Sequence, residues 1–191
     1  MRFIPQSIPD VWIIEPEVHG DERGYFVETF RQDKFEDALG YKVNFIQDNE
    51  SKSSKGVLRG LHFQLPPHAQ SKLVRVIEGA VLDVAVDIRK GSPTFGQHVA
   101  VELSGDNKKQ MFIPRGFAHG FVVLTATAIL AYKVDNYYSH ECDRGLAFDD
   151  IDLNIEWQLT KQQLLLSDKD TQLPTLAALT DCFDYSSNNY D

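Results

Sequence analysis

The stretch GLHFQLPPHAQSKLVRVIEG, from Gly60 to Gly79, sets a histidine inside an apolar, strand-like run. Gln64 follows His62 by two residues and Lys72 by ten, Arg59 stands just before the stretch, and a later segment, PRGFAH, adds His119. Imidazole in such company could hold a metal, move a proton, or sit in a core with both nitrogens bonded. Taken alone, a histidine in an apolar strand is more often structural. The crowding of polar groups shifts that balance, because each one buried without a partner costs about 1–3 kcal/mol.

These residues need a scaffold, and strand-type alternation dominates the chain. In VLDVAVDIR, Leu82, Val84, Val86 and Ile88 take one face, while Asp83, Ala85, Asp87 and Arg89 take the other. In HVAVEL, Val99, Val101 and Leu103 alternate with His98, Ala100 and Glu102. In ILAYKV, Leu130, Tyr132 and Val134 share a face, which can carry the Tyr132 hydroxyl into an interior. Turn signals in KGSPTFG, SGDNK and IPRGFAHG separate the runs. Many short strands at this spacing predict a sandwich or barrel. Helical signals are few: QDKFEDALG, with a start at Asp33 and a stop at Gly40, and LTKQQLLLS, starting at Thr160. The tail DYSSNNYD is polar and expected to fray.

Bulk properties narrow the function. A chain of 191 residues suits one domain with a substantial core, and 42% hydrophobic with 25% charged residues is ordinary for a globular protein. A net charge of −9 and the lack of basic runs argue against nucleic acid or an anionic membrane as partner. Cys142 and Cys182 form neither a metal motif nor a disulfide framework, which fits a reducing compartment. Pro5 and Pro9 interrupt what would be a leader's apolar stretch, and GFVVLTATAILAY is too short to span a bilayer. The expected location is cytoplasmic.

The histidine segments resemble the motifs of the cupin superfamily. Its second motif, P-x-G-x-x-H, is present as Pro114, Gly116 and His119. Its first is altered: His62 stands, Gln64 takes the place of the second histidine, and Lys72 precedes Gly79 by the interval expected of a glutamate. In metal-binding cupins these positions hold the ion. Here an ammonium replaces an attracting charge, and an amide is a poor transition-metal ligand beside imidazole. The metal reading fails at two of four ligands, and His62 is free to act as a base. No metal and no cofactor are expected.

A more specific resemblance, from about Ile4 to Asp170, is to the deoxythymidine-diphosphate (dTDP)-4-dehydrorhamnose 3,5-epimerases. It rests on GDERGYFVETF, NFIQDNESKSSKGVLRGLHFQ, KLVRVIEGAVLDVAVDIRKGSPTFGQ, FIPRGFAHGF, YKVDNYYS and LSDKD, in order and at family spacing. The resemblance implies an all-β cupin-type jelly roll or β-sandwich with a few short flanking helices. It implies one domain over residues 1–191, with a core at about 4–170 and a helical extension and polar tail at 171–191. The implied substrate is a dTDP-linked 4-keto-6-deoxy sugar, inverted at C3 and C5. Both carbons flank the ketone, so their protons are acidic only through an enolate.

By that resemblance His62 is the base and Asp170 its carboxylate partner, with Asp168 and Asp83 as competitors for the pairing. Tyr132 is the acid on the opposite face, Lys72 stabilises the enolate, and His119 lines the same site. Arg23, Glu28, Gln47, Asn49, Arg59, Tyr137, Asp143 and Lys169 fall at positions for the nucleotide and sugar. A homodimer, with N-terminal segments exchanged, is also implied. Departures surround this set: Glu50 stands where a histidine is common, His19 and His98 where aromatic residues are common, and CDRG at 142–145 is less typical. Three other functions compete: a single-centre epimerase or ketoisomerase on the same scaffold, a metal-dependent cupin, and a silent sugar-nucleotide-binding module.

Overall fold

The computed structural model describes residues 1–187 and 190. Most of that chain is extended, as the alternation predicts. The first half runs β1 (Arg2–Pro5), β2 (Trp12–Glu15), β3 (Val18–Asp21), β4 (Gly24–Val27), helix α1 (Gln32–Leu39), β5 (Gln47–Ser54), β6 (Leu58–Gln64), β7 (Lys72–Glu78) and β8 (Ala80–Asp87). It continues through β9 (Arg89–Lys90), β10 (His98–Ser104), β11 (Gln110–Ile113), β12 (Phe117–Val123), β13 (Thr127–Val134), β14 (Asp143–Gly145) and β15 (Phe183–Asp184). Three 3-10 turns, Lys161–Gln163, Asp170–Gln172 and Leu176–Ala178, lie between the last two strands.

Six strands form one sheet in the order β1-β2-β11-β7-β13-β5, and five form a second in the order β10-β8-β12-β6-β14. Within both, neighbours are antiparallel. The two sheets face each other as a cupin-type β-sandwich. Between them pack Val74, Val76 and Leu130 from one sheet and Val81, Ala85, Val99, Leu103 and Phe121 from the other. Burying each large aliphatic or aromatic side chain contributes about 1.5–3 kcal/mol, so this interior is the main source of stability.

Each sheet is also covered on its outer side. Leu82, Val84 and Val86 share a face of β8, as their spacing predicts, and with Ile88 just beyond it they pack against Trp157, Leu179 and Phe183 from the C-terminal part of the chain. That cover explains why β8 is buried on both faces. Over the six-stranded sheet, α1 lays Phe35 edge-on against Phe112, with ring centroids 5.1 Å apart. Ile14, Leu73 and Val43 complete this layer.

Local readings fare unevenly. The first helix starts one residue before Asp33, and Asp33 instead pairs with Arg31 at 2.7 Å. Gly40 ends the helix in the left-handed region at φ 78°, where its N–H reaches the Glu36 carbonyl. The segment starting at Thr160 makes only a 3-10 turn, although Thr160 and Gln163 form a capping box. The expectation of a frayed tail is corrected for its described residues. Phe183 and Asp184 pair in parallel with Arg89 and Lys90, and the Tyr190 hydroxyl lies 2.8 Å from that of Ser71. Aromatic rings among the polar residues supply the burial that holds this segment; residues 188, 189 and 191 of the tail lie outside the described ones. Among the described residues no helix is long and apolar enough to cross a membrane.

Candidate active site

A cavity of about 510 Å³ opens between the two sheets, lined in part by Arg59, His62, Lys72, His119, Tyr132 and Asp170. The five-stranded sheet contributes His62 and His119, which are register partners on β6 and β12 and so project to the same side. Two glycines let these strands approach at that point. A Cβ on Gly60 would lie 2.5 Å from the Gly120 Cα, and one on Gly120 would lie 2.8 Å from the Arg59 carbonyl oxygen. The pairing of β12 with β6 shifts register between His119 and Phe121. The six-stranded sheet contributes Lys72, at the start of β7, and Tyr132, on β13.

His62 Nε2 lies 2.6 Å from Asp170 Oδ1. Asp170 stands at the head of a 3-10 turn, 5% exposed, and its backbone N–H reaches the Ser167 hydroxyl at 3.2 Å. Burial pushes the Asp170 carboxyl up, but its hydrogen bond with His62 and the charges of His62 and Lys169 outweigh this and hold it below the usual carboxylate range. An ionised Asp170 accepts the Nε2–H, which leaves Nδ1 as the ring nitrogen able to take a proton. Of the three carboxylates that compete for His62, Asp170 is the one bonded to it.

Asp83 serves the other histidine. His119 Nε2 lies 2.7 Å from Asp83 Oδ1, and both side chains are almost wholly buried. Burial lowers the His119 pKa despite the Asp83 charge, so the ring is neutral at pH 7 and donates Nε2–H to Asp83. Its Nδ1 then accepts from the Lys72 ammonium at 3.5 Å. Burial also drives Lys72 down, to about 8, against the pull of Asp83 and Asp143. Burial pushes the Tyr132 phenol up, with the Arg59 charge opposing, so it stays protonated and can donate.

The outer residues divide. Arg59 lines the cavity with its guanidinium 3.2 Å from the Ser53 hydroxyl, and Lys169 lines the rim, paired with Asp143. Asp143 itself stands outside, its carboxylate taken up by Lys169 and by the Tyr138 hydroxyl at 3.0 Å. Asn49 is the register partner of Tyr132 and so lies on the cavity side of β5, but it accepts from the Gln47 amide at 2.8 Å and neither residue lines the cavity. Tyr137 is 60% exposed. Arg23 pairs with Asp21 on the exposed β3–β4 hairpin, and Glu28 lies 3.7 Å from Lys34. Within one chain, then, Arg23, Glu28, Gln47, Asn49, Tyr137 and Asp143 lie outside this cavity wall, on the hairpin or beside local partners.

Gln64 is turned away from metal-type chemistry. Its amide donates to the carbonyls of His68 and Tyr137 and accepts the Ser139 N–H, so it braces two loops. The sequence reading missed Ser51, Phe121, Leu165, Leu166 and Ser167 as wall residues. Ser51 was recoverable from its two-residue spacing to Asn49 on one strand face; the leucines carry no local signal, because only the fold brings them to the cavity.

The fold is a cupin-type sandwich whose cavity brings together His62 of one sheet, bonded to Asp170 of a 3-10 turn, and Tyr132 and the half-buried Lys72 of the other, a set of groups suited to acid–base chemistry. The chain belongs to the dTDP-4-dehydrorhamnose 3,5-epimerase family, whose model matches residues 5–178. It is 59% identical over 170 residues to the dTDP-4-dehydrorhamnose 3,5-epimerase of Shigella flexneri, covering 89% of this chain and 93% of the relative. The crystal structure of the Legionella pneumophila dTDP-6-deoxy-D-glucose-3,5-epimerase, in complex with dTDP-4-keto-L-rhamnose, superposes with a TM-score of 0.93 at 49% identity, over 97% of this chain and 99% of that one. A 3′-monoepimerase of Streptomyces bikiniensis in complex with dTDP-quinovose is also similar, with TM-score 0.84 and 36% identity over 91% of this chain and 87% of that one.

Proposed function

We propose that this enzyme converts dTDP-4-dehydro-6-deoxy-D-glucose to dTDP-4-dehydro-L-rhamnose by inverting C3 and C5 in turn, without a redox cofactor. The observation that carries the reading is the division of labour between sheets. His62 approaches the cavity from the five-stranded sheet and Tyr132 from the six-stranded one. A sugar ring between them meets a base on one face and an acid on the other, as inversion at carbon requires.

His62 Nδ1 removes the proton from C3 or C5, and Asp170 stabilises the imidazolium that results. Charge then develops on the C4 oxygen as the enolate forms. The Lys72 ammonium, half-buried and aligned by His119 and Asp83, is preorganised to receive it, where a fixed charge in a water-poor site is worth several kcal/mol. Tyr132 returns a proton from the opposite face. Arg59 and Lys169 at the rim suit the diphosphate.

The protein works as a homodimer in this reading. The β3–β4 hairpin is largely exposed, with Phe26 71% and Tyr25 60% exposed although Lys108 lies over the Tyr25 ring, and it carries Arg23 away from its own cavity. Burial of those rings against a second copy would bring Arg23 and Glu28 to the neighbouring nucleotide site. The two unpaired cysteines support a cytoplasmic location.

Incubation with dTDP-4-keto-6-deoxyglucose in heavy water, followed by NMR, tests the reaction. Deuterium at both C3 and C5, with an inverted product trapped by a reductase, is expected. Label at one carbon alone would replace this reading with a single-centre epimerase.

A further inference from the structure

Asp135 lies outside the cavity wall, yet its carboxylate meets three of the segments that build it. It directly follows β13, three residues beyond Tyr132. Its Oδ1 accepts the backbone N–H of Ser71 at 2.6 Å, immediately before Lys72. Its Oδ2 accepts from Arg115 Nε at 3.0 Å, in the turn between β11 and β12 and four residues ahead of His119. Both side chains are largely removed from water, at 3% exposure for Asp135 and 16% for Arg115. The Tyr190 ring adds a lid, with the Arg115 guanidinium carbon 5.2 Å from its centroid and its hydroxyl on Ser71.

A buried ion pair is a poor source of net stability, since desolvation offsets the attraction, but it specifies geometry well. Here the specified geometry is the end of the sandwich where Lys72, Tyr132 and His119 converge. The base is anchored separately: the bonds of Asp135 reach neither β6 nor the turn that holds Asp170.

We infer that Asp135 is a positioning residue for the epimerisation, a single carboxylate that fixes Lys72, Tyr132 and His119 relative to one another around the enolate. This rests on the roles given to those three residues above. A carboxylate serves better than any neutral group because its two oxygens hold a backbone N–H and a guanidinium at once.

The test compares Asp135→Ala and Asp135→Asn with the parent enzyme and with His62→Ala. Thermal unfolding and dTDP binding fix the folded, binding-competent fraction, to which kcat, KM and the deuterium-exchange-to-inversion ratio are referred. Asp135→Asn keeps an acceptor for Ser71 but turns an amide N–H toward Arg115, so its kcat should fall between those of the parent and Asp135→Ala. Asp135→Ala frees both partners and should lose about tenfold or more in kcat, since misplacement by an ångström costs up to two decades. Its dTDP affinity should hold within twofold, and exchange should outrun inversion as Tyr132 loses its place. If Asp135→Ala fails to fold, Arg115→Gln, which leaves the Ser71 bond intact, should lower kcat with dTDP binding retained. A loss of kcat that merely tracks the folded fraction, with an unchanged exchange-to-inversion ratio, overturns the inference. Turnover retained in His62→Ala would instead overturn the site itself.

Discussion

Replacing Asp170 by asparagine isolates the contribution of the carboxylate to the base. The 2.6 Å contact with His62 Nε2 joins a side chain that is 5% exposed to an imidazole whose side chain is 31% exposed, so water screens the bond little. Hydrogen bonds to charged groups are worth about 1.5–3 kcal/mol, and this one gains most when His62 becomes imidazolium. At 1.36 kcal/mol per decade, the loss corresponds to about 10- to 150-fold in the rate of proton abstraction. The amide adds a second penalty when it donates to Nε2, because the histidine proton then sits on Nδ1 and blocks the nitrogen that must accept. The assay is single-turnover deuterium wash-in at C3 and C5, read beside dTDP affinity. Both carbons should slow together while affinity holds within twofold. Exchange within threefold of the parent would show that His62 works without Asp170, and the dyad would have to be abandoned.

Lys72 predicts an alkaline limb. A lysine held near 8 in the folded protein loses its charge well below its unfolded value of about 10.4, so kcat/KM should fall as pH rises through about 8. In Lys72→Arg the remaining activity should lack that limb; an unmoved limb would assign it to another group. The same shift links to stability with the opposite sign: between about 8 and 10.4 the unfolded chain binds the extra proton, so Lys72 contributes rising stability with pH there, measurable by denaturant titration. Tyr132→Phe should leave wash-in at C3 and C5 detectable but reduce inversion at least tenfold; normal inversion would require a different acid. Gly120→Ala places a Cβ 2.8 Å from the Arg59 carbonyl oxygen, so it should cost about 1–3 kcal/mol in chemical denaturation and a larger share of turnover by shifting His62. An unchanged kcat would show that the approach of β6 and β12 does not set the base.

The strands were legible because period-two alternation is local. Leu82, Val84, Val86 and Ile88 announce a face regardless of what covers it. What covers it is not local: Trp157 and Phe183 reach β8 from seventy and more residues away, and nothing in their neighbourhood marks that destination. The site followed the same division. His62, Lys72 and His119 stand in recognisable spacings, and Tyr132 follows from its strand face. The pairing of Asp170 over Asp83 depends on which aspartate the fold delivers to which histidine: Asp170 goes to His62 and Asp83 to His119. Arg23 and Glu28 could be read as binding positions by resemblance, but not as residues held away from their own chain's cavity. Asp135 was invisible as a hub, since its partners, Ser71 and Arg115, are distant in sequence.

The location of Asp170 gives the protein a natural order of assembly. Both sheets are complete, except for the short β14 edge, by the time the chain has passed Val134, and His62 is then already on its strand. Its partner arrives some thirty-five residues later, within the same segment that covers the apolar outer face of β8. During synthesis on the ribosome, a nascent chain interrupted before that segment emerges would hold a base without its carboxylate and a sticky sheet without its cover. Activity and solubility should therefore switch on together, late, so that a chain able to catalyse is one that has finished folding.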